Sequence, residues 1–245
     1  MLTPDWPAPA GVRAVCTTRV GGVSAAPYDA LNLGDHVGDD PAHVAANRAI
    51  FEQALGSHPV FLNQVHGTEV VALDAATPDG TVADACCTDQ PGLACTVMVA
   101  DCLPVLFTTA DGQRVAAAHA GWRGLAGQGG VGILEATVKH LCAKDVQADD
   151  ILAWLGPCIG LRAFEVGDEV RAALTASDPL AGACFKPLVP GKWLADLAGL
   201  ARLRLRALGL TQIYGNDSSA AWCTVSNASR FFSYRRDRVT GRIAA

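Results

Sequence analysis

The chain has 245 residues, half of them hydrophobic and 18% charged, with a formal net charge of -5. That balance excludes a disordered chain, and the negative charge argues against a dedicated nucleic-acid binder. No apolar run approaches the length of a bilayer crossing, and the length suits a single α/β (α+β) domain over residues 1–245 with an ample core.

Met1 to Pro9 holds three prolines and Asp5, with no basic stretch leading into an apolar one, so no signal peptide is expected. Val12–Thr17 reads as a strand, and the loop around Arg19–Ser24 follows it. Asp39-Asp40-Pro41 has the acidic cap and the proline of a helix start. Val44, Asn47, Phe51 and Leu55 then recur on one face, and Gly56 ends the helix. By spacing alone, Arg48 beside that face reads as a solvated arginine. Val60–Gln64 and Glu69–Leu73 read as strands around a turn at His66-Gly67.

The centre of the chain carries three short apolar runs, Leu93–Ala100, Leu103–Thr109 and Val115–Ala118, which read as buried strands. Ala110-Asp111-Gly112 joins the last two as a hairpin turn. Cys102 then falls just before one strand and His119 just after its antiparallel neighbour. Downstream come the glycine-rich Gly127–Gly132, a helix from about Ile133 to Leu141 and a strand at Ile151–Leu155. That strand runs into the turn Gly156-Pro157-Cys158-Ile159-Gly160. Helices are expected at Phe164–Leu174 and Trp193–Leu208, and short strands at Thr211–Tyr214 and Arg230–Tyr234.

Nine cysteines, an odd number without framework spacing, read as mostly buried, reduced thiols, and a cytoplasmic location is expected from that. Cys102, His119 and His66 are different, because the strand pattern brings Cys102 and His119 to one end of a sheet and His66 is the natural third member. Two imidazoles and a thiolate can hold zinc and leave a position open for water or substrate. The same Cys–His pair can be a nucleophile and its base, with Asp101 orienting either, and ordinary core or turn residues are the third reading. Two histidines and one cysteine do not make a multicopper cluster. Gly121-Trp122-Arg123-Gly124 lacks a phosphate-loop pattern, but it sets Arg123 and flexible amides beside His119, which suits an anion. Arg235 and Arg236 could also serve a phosphate, although two arginines at a strand end more often are solvated or paired with carboxylates, and His43, His58 and His140 read as surface residues.

At these residues the sequence resembles a known family. Leu31-Asn32-Leu33-Gly34, Asn47-Arg48, Asn63-Gln64-Val65-His66-Gly67, Ala100-Asp101-Cys102-Leu103-Pro104-Val105, Ala118-His119-Ala120-Gly121-Trp122-Arg123-Gly124, Gly156-Pro157-Cys158-Ile159-Gly160 and Phe231-Phe232-Ser233-Tyr234-Arg235-Arg236-Asp237 recur in it in this order. It is the bacterial family first described as polyphenol oxidase or laccase-domain proteins. Its members are now described as purine nucleoside phosphorylases with adenosine deaminase activity, and one branch as the peptidoglycan editing factor. The resemblance runs from about Val12 to Arg242. The Gly127–Gly132 segment looks longer than is usual in the family.

The resemblance implies mixed β-sheets layered with helices, similar to the catalytic domain of cytotoxic necrotising factor toxins. It also implies His66, Cys102 and His119 as ligands of zinc, with copper as the alternative metal. Arg48 and Asn32 match positions at the substrate, which reverses the solvated reading of Arg48. The implied activity is phosphorolysis of adenosine, inosine and 5'-methylthioadenosine, with adenosine deamination beside it. Asp101 is expected to shuttle the proton and Arg123 to meet substrate charge. The alternatives are hydrolytic editing of a cytoplasmic cell-wall precursor, a Cys–His hydrolase, a copper-dependent polyphenol oxidase and a zinc-stabilised binding module. The expected partner is a small-molecule substrate, with no nucleic acid and no membrane, and the oligomeric state stays open.

Overall fold

The computed structural model of the chain describes residues 1–143 and 146–245. Its first helix, α1 (Pro41–Leu55), starts where the sequence sets a cap: the Asp40 carboxylate accepts the Ala42 N–H, and Gly56 closes the helix at φ +68°. Val44, Asn47, Phe51 and Leu55 are its buried face, as the spacing predicts. The strands that follow are β1 (His58–Phe61), β2 (Val70–Ala72), β3 (Ala85–Thr88), β4 (Leu93–Thr96), β5 (Met98–Val99), β6 (Leu103–Thr109) and β7 (Val115–Ala120). Next come α2 (Trp122–Ala126), α3 (Ile133–Leu141), β8 (Ile151–Leu155), β9 (Glu165–Gly167) and α4 (Asp168–Thr175). The chain ends with β10 (Phe185–Val189), β11 (Lys192–Ala195), α5 (Leu197–Ala207), β12 (Gln212–Gly215), α6 (Tyr234–Asp237) and β13 (Ile243–Ala244).

The architecture is mixed α/β, built on a six-stranded sheet in the order β12-β8-β6-β7-β3-β2. β6 pairs antiparallel with both β7 and β8, and the outer pairs β12–β8 and β2–β3 are parallel. β6 and β8 are buried at every position because both sheet faces are covered. Side chains alternate between the two faces of a strand. Val105, Phe107, Ala116 and Ala118 accordingly join Ile133, Leu134 and Leu200 in one core, while Leu106, Ala117 and Trp154 join Val97, Phe231 and Phe232 in the other. None of the helices among the described residues is long and apolar enough to cross a membrane.

Several expected elements form differently. Val12–Thr17 makes no strand beyond the single bridge between Leu2 and Cys16. The Leu93–Ala100 run is two strands, because the chain changes partner at Val97. β4 runs parallel to β1, and β5 pairs antiparallel with β13. His119 lies inside β7, opposite Pro104, rather than after the strand. Phe164–Leu174 is not one helix: β9 occupies Glu165–Gly167 and α4 starts at Asp168. Likewise Trp193 sits in the β10–β11 hairpin, and Asp196 caps α5 by accepting the Gly199 N–H, so the helix begins later than its leucine spacing suggests. Arg230–Tyr234 is not a strand either; Phe231 and Phe232 are buried and Ser233 caps the short α6. α3 and β8 have the expected bounds.

Candidate metal centre

Asp84 is the residue around which the site is assembled. It is completely buried at the start of β3, and its carboxylate accepts the backbone N–H groups of Val65 at 3.1 Å, His66 at 2.9 Å and Gly67 at 2.6 Å. Three amides on one carboxylate hold the 65–67 turn closed and fix His66 at φ +61°, a conformation uncommon outside glycine. The same carboxylate lies 2.8 Å from His119 Nδ1, and the Asp84 carbonyl accepts the His119 N–H at 2.7 Å. One buried residue therefore positions two histidines, one in the turn between β1 and β2 and the other in β7.

Cys102 is positioned from the other side. Asp101 takes φ +93°, and it is held there by the Thr224 hydroxyl on Oδ1 and the Arg235 N–H on Oδ2, each at 2.6 Å. Its carbonyl accepts the Ile159 N–H at 2.8 Å. The result brings Cys102 Sγ to 3.7 Å from His66 Nε2, while the His66 and His119 rings stand edge to face with centroids 4.7 Å apart. The ligand atoms of His66, Cys102 and His119 all lie within 4.8 Å of one another. Gly121 leaves the space: a Cβ there would come 2.8 Å from the His66 ring and 3.0 Å from Cys102 Sγ.

The electrostatics differ from those of the other thiols. Burial pushes Cys16 up to about 12 and raises Cys95 and Cys158 as well. Burial also acts to raise Cys102, but the charge of His119 and hydrogen bonds from His119 and His66 outweigh it and bring this thiol down to about 6. Burial alone would lower His119, yet the Cys102 and Asp84 charges and hydrogen bonds carry it up to about 9. Desolvation works against the Asp84 carboxylate, and the hydrogen bonds from His119, Gly67 and Val65 still hold it below the usual range. Without a metal, Cys102 and His119 thus form a thiolate–imidazolium pair backed by Asp84.

This trio can hold a metal ion. Asp84 takes the Nδ1–H of His119 and leaves its Nε2 for a ligand, the usual outer-shell arrangement of a metal-bound histidine. Two imidazoles and one thiolate suit zinc with an open position. A copper electron-transfer site of the same donor set adds a weak axial methionine. The chain has two methionines, and Met98 packs instead against Leu33, Phe51 and Phe61. Among the described residues this is the one cluster of three such ligands. It falls short of what a multicopper centre requires.

The other residues singled out from the sequence have varied surroundings. Asn32 is fully buried and saturated: it donates to the Gly34 carbonyl and to Asp39, and accepts from the Gly34 and Arg242 amides. Arg48 is not a freely solvated side chain. It donates to the Leu33 carbonyl at 3.0 Å, faces Asp35 at 3.2 Å and stacks on Phe61 at 3.9 Å. Arg123 is exposed and stacks on Trp122. Arg235 and Arg236 are spent mainly on backbone carbonyls, those of Ala163, Glu165, Thr224, Val225 and Phe231. A cavity of about 300 Å³ lined by Trp6, Phe51, Cys95 and Phe107 lies at the opposite end of β6 and β7, away from the three ligands. Sequence reasoning missed Asp84, because only the pairing of Ala85 with Ala118 brings it against His119.

Comparison with known proteins identifies the family. Residues 13–245 match the family model described as "Multi-copper polyphenol oxidoreductase laccase", and the chain belongs to that family. It is 53% identical over 246 residues to a purine nucleoside phosphorylase of Pseudomonas aeruginosa, covering 100% of this chain and 96% of the relative. It is also 51% identical over 248 residues to a purine nucleoside phosphorylase of Escherichia coli, with 100% and 97% coverage. Among solved structures, the Neisseria meningitidis protein NMB0706 superposes with a TM-score of 0.90 at 47% identity, covering 99% of this chain and 96% of that one. YlmD from Geobacillus stearothermophilus does so with a TM-score of 0.86 at 33% identity, covering 96% and 91%.

Proposed function

From this family membership as premise, we propose that the chain is a zinc-dependent purine nucleoside phosphorylase acting on adenosine, inosine and 5'-methylthioadenosine, with adenosine deamination as a second reaction. The whole chain would act as one domain in the cytoplasm. The observation that carries the reading is the convergence of His66, Cys102 and His119 on one point, in a chain about half identical to relatives named for this activity.

In phosphorolysis a phosphate oxygen bonds to C1' of the ribose as the C1'–N9 bond breaks, and the bond's electrons leave with the purine, which takes up a proton. In deamination, water adds at the amino-bearing carbon and ammonia leaves. His66, Cys102 and His119 would hold the ion, which when bound supplies Lewis acidity to an oxygen at the reacting centre. Asp84 fixes the His119 ring in the tautomer that ligation needs. Arg123, exposed one residue beyond Trp122, is assigned to substrate or transition-state negative charge. Arg48 is assigned to the substrate wall. Asn32 holds the 32–39 loop from within. Asp101, expected to move the proton, accepts hydrogen bonds at both carboxylate oxygens, and a positioning role for Cys102 fits it better.

The test is product identity. Adenosine with inorganic phosphate should yield adenine and ribose 1-phosphate, and without phosphate only inosine and ammonia. Adenosine left intact under both conditions would end the proposal. A second reading, a Cys–His hydrolase, is favoured by the lowered Cys102 thiol beside His119 and Asp84, which together have the make-up of a nucleophile, base and orienting carboxylate. It requires the metal-free protein to be the active form.

A further inference from the structure

Arg242 is a cation that the site reading above leaves without a task. It directly precedes β13, whose residue Ile243 pairs with Val99 of β5, so its backbone lies alongside Ala100, just upstream of Asp101 and Cys102. Its N–H donates to Asn32 Oδ1 at 2.8 Å, and its stem packs on Gly34, where a Cβ would come 2.7 Å from Arg242 Cγ. That contact and hydrogen bond hold its backbone and stem in place. Burial lowers the Arg242 guanidinium from its ordinary value, and the negative charges of Cys102 and Asp101 act against that. The side chain is half-buried, and its backbone runs beside the segment that leads into Cys102.

Its hydrogen bonding is incomplete. Nη1 donates to the carbonyls of Thr240 and Gly241 at 3.1 Å each, which orients the guanidinium plane and occupies one of its three nitrogens. The arginine salt bridges among the described residues take up Arg19, Arg48, Arg204 and Arg236, and Arg242 is in none of them. Asp101, the nearby carboxylate, is committed to Thr224 and the Arg235 amide. Cys102 would be a ligand of a bound ion and therefore no partner for the guanidinium. A planar fork left without a carboxylate partner matches two oxygens of a tetrahedral oxyanion better than any group of a neutral nucleoside.

We propose that Arg242 anchors an inorganic-phosphate subsite beside the His66–Cys102–His119 centre. The inference rests on the phosphorolytic reading for its physiological ligand, while the anion site itself rests on the placement of Arg242. Asn32 and Gly34 belong to the same device. One receives the Arg242 amide, and the other leaves room for its stem.

The experiment compares wild type, Arg242→Gln and Arg242→Lys as full-length, zinc-loaded protein. Binding of inorganic phosphate is followed by phosphorus NMR without nucleoside, and the KM values for phosphate and adenosine are measured separately. The glutamine variant should lose at least about tenfold in phosphate affinity and phosphate KM, as expected for loss of a charge-assisted fork. Its adenosine KM and zinc content should stay near wild type, and the lysine variant should recover part of the loss. Phosphate binding and KM unchanged in Arg242→Gln would overturn the subsite and leave the phosphorylase reading standing. A fall in kcat alone, with both KM values unchanged, would also overturn it. Phosphate binding that is lost with Arg242, in a protein that cleaves no nucleoside, would uphold the subsite and end the phosphorylase reading.

Discussion

Asp84 grips His119 twice, its carboxylate 2.8 Å from Nδ1 and its carbonyl accepting the backbone N–H at 2.7 Å. The histidine's rotation and its position along β7 are both set by one buried side chain. Asp84→Asn should therefore weaken zinc binding about 10- to 100-fold, the usual cost of losing an outer-shell carboxylate. It should also destabilise the fold by about 1–3 kcal/mol, because an amide NH2 would face the Val65 and Gly67 donors. A competitive chelator titration and a thermal melt read the two effects separately.

Zinc affinity should depend on pH in a way set by the Cys102–His119 pair. With Cys102 down to about 6 and His119 up to about 9, the metal-free protein between those values holds a thiolate and an imidazolium. Ligation needs the thiolate, which is already present, and a neutral imidazole, so His119 releases about one proton on binding in that window. Raising pH therefore favours binding, with a slope of about one in log affinity from this pair. Below about pH 6 the thiol is protonated too, and the pair's contribution steepens to about two. Calorimetry of zinc binding in buffers of different ionisation enthalpy measures the proton count directly. Release of two protons by the pair at neutral pH would mean that Cys102 is an ordinary thiol.

Gly121→Ala separates crowding from backbone effects. Gly121 has φ -71° and ψ 162°, which alanine adopts without strain. The added methyl would nevertheless press on the His66 ring at 2.8 Å and on Cys102 Sγ at 3.0 Å. The variant should keep its fold to within about 1–3 kcal/mol but lose most of its bound zinc. Metal analysis after gel filtration, with circular dichroism beside it, checks the prediction.

A control lies away from the centre. Arg204 is nearly buried between Glu135 at 2.8 Å and the Gly130 carbonyl at 2.9 Å, and Glu135 also accepts the Gly132 N–H. These contacts tie the glycine-rich 127–132 loop to α3 and α5. Arg204→Ala leaves a desolvated carboxylate and should cost about 3–5 kcal/mol of stability. Zinc content should be unchanged, as read by a denaturant melt and metal analysis.

The parts legible in the sequence were those encoded locally. The Asp40 cap with Pro41, the 44/47/51/55 face and Gly56 define α1 without reference to anything else, and β6 and β8 are apolar runs too short for helices. Segments decided by a distant partner were read wrongly or missed. β3 is a plain Ala-Cys-Cys-Thr stretch that becomes a strand by lying between β7 and β2. Trp193 and Leu194 fit a helical spacing until β9 and β10 claim them. The site shows the same division. His66, Cys102 and His119 carry chemistry in their own side chains, so they could be singled out. Asp84 and Arg242 matter through pairings across 35 and 210 residues, with His119 and Asn32 respectively, that no local pattern records.

The central claim is that His66, Cys102 and His119 form a metal centre on which nucleoside phosphorolysis depends. The most direct measurement is metal content joined to turnover: zinc and copper per chain in protein purified without added metal, and adenine release from adenosine and phosphate before and after chelation. The predicted result is about one zinc per chain, with adenine release abolished by the chelator, restored by zinc, and absent from Cys102→Ala and His66→Ala proteins that remain folded. Full turnover by the chelated protein, or by either folded variant, would contradict it.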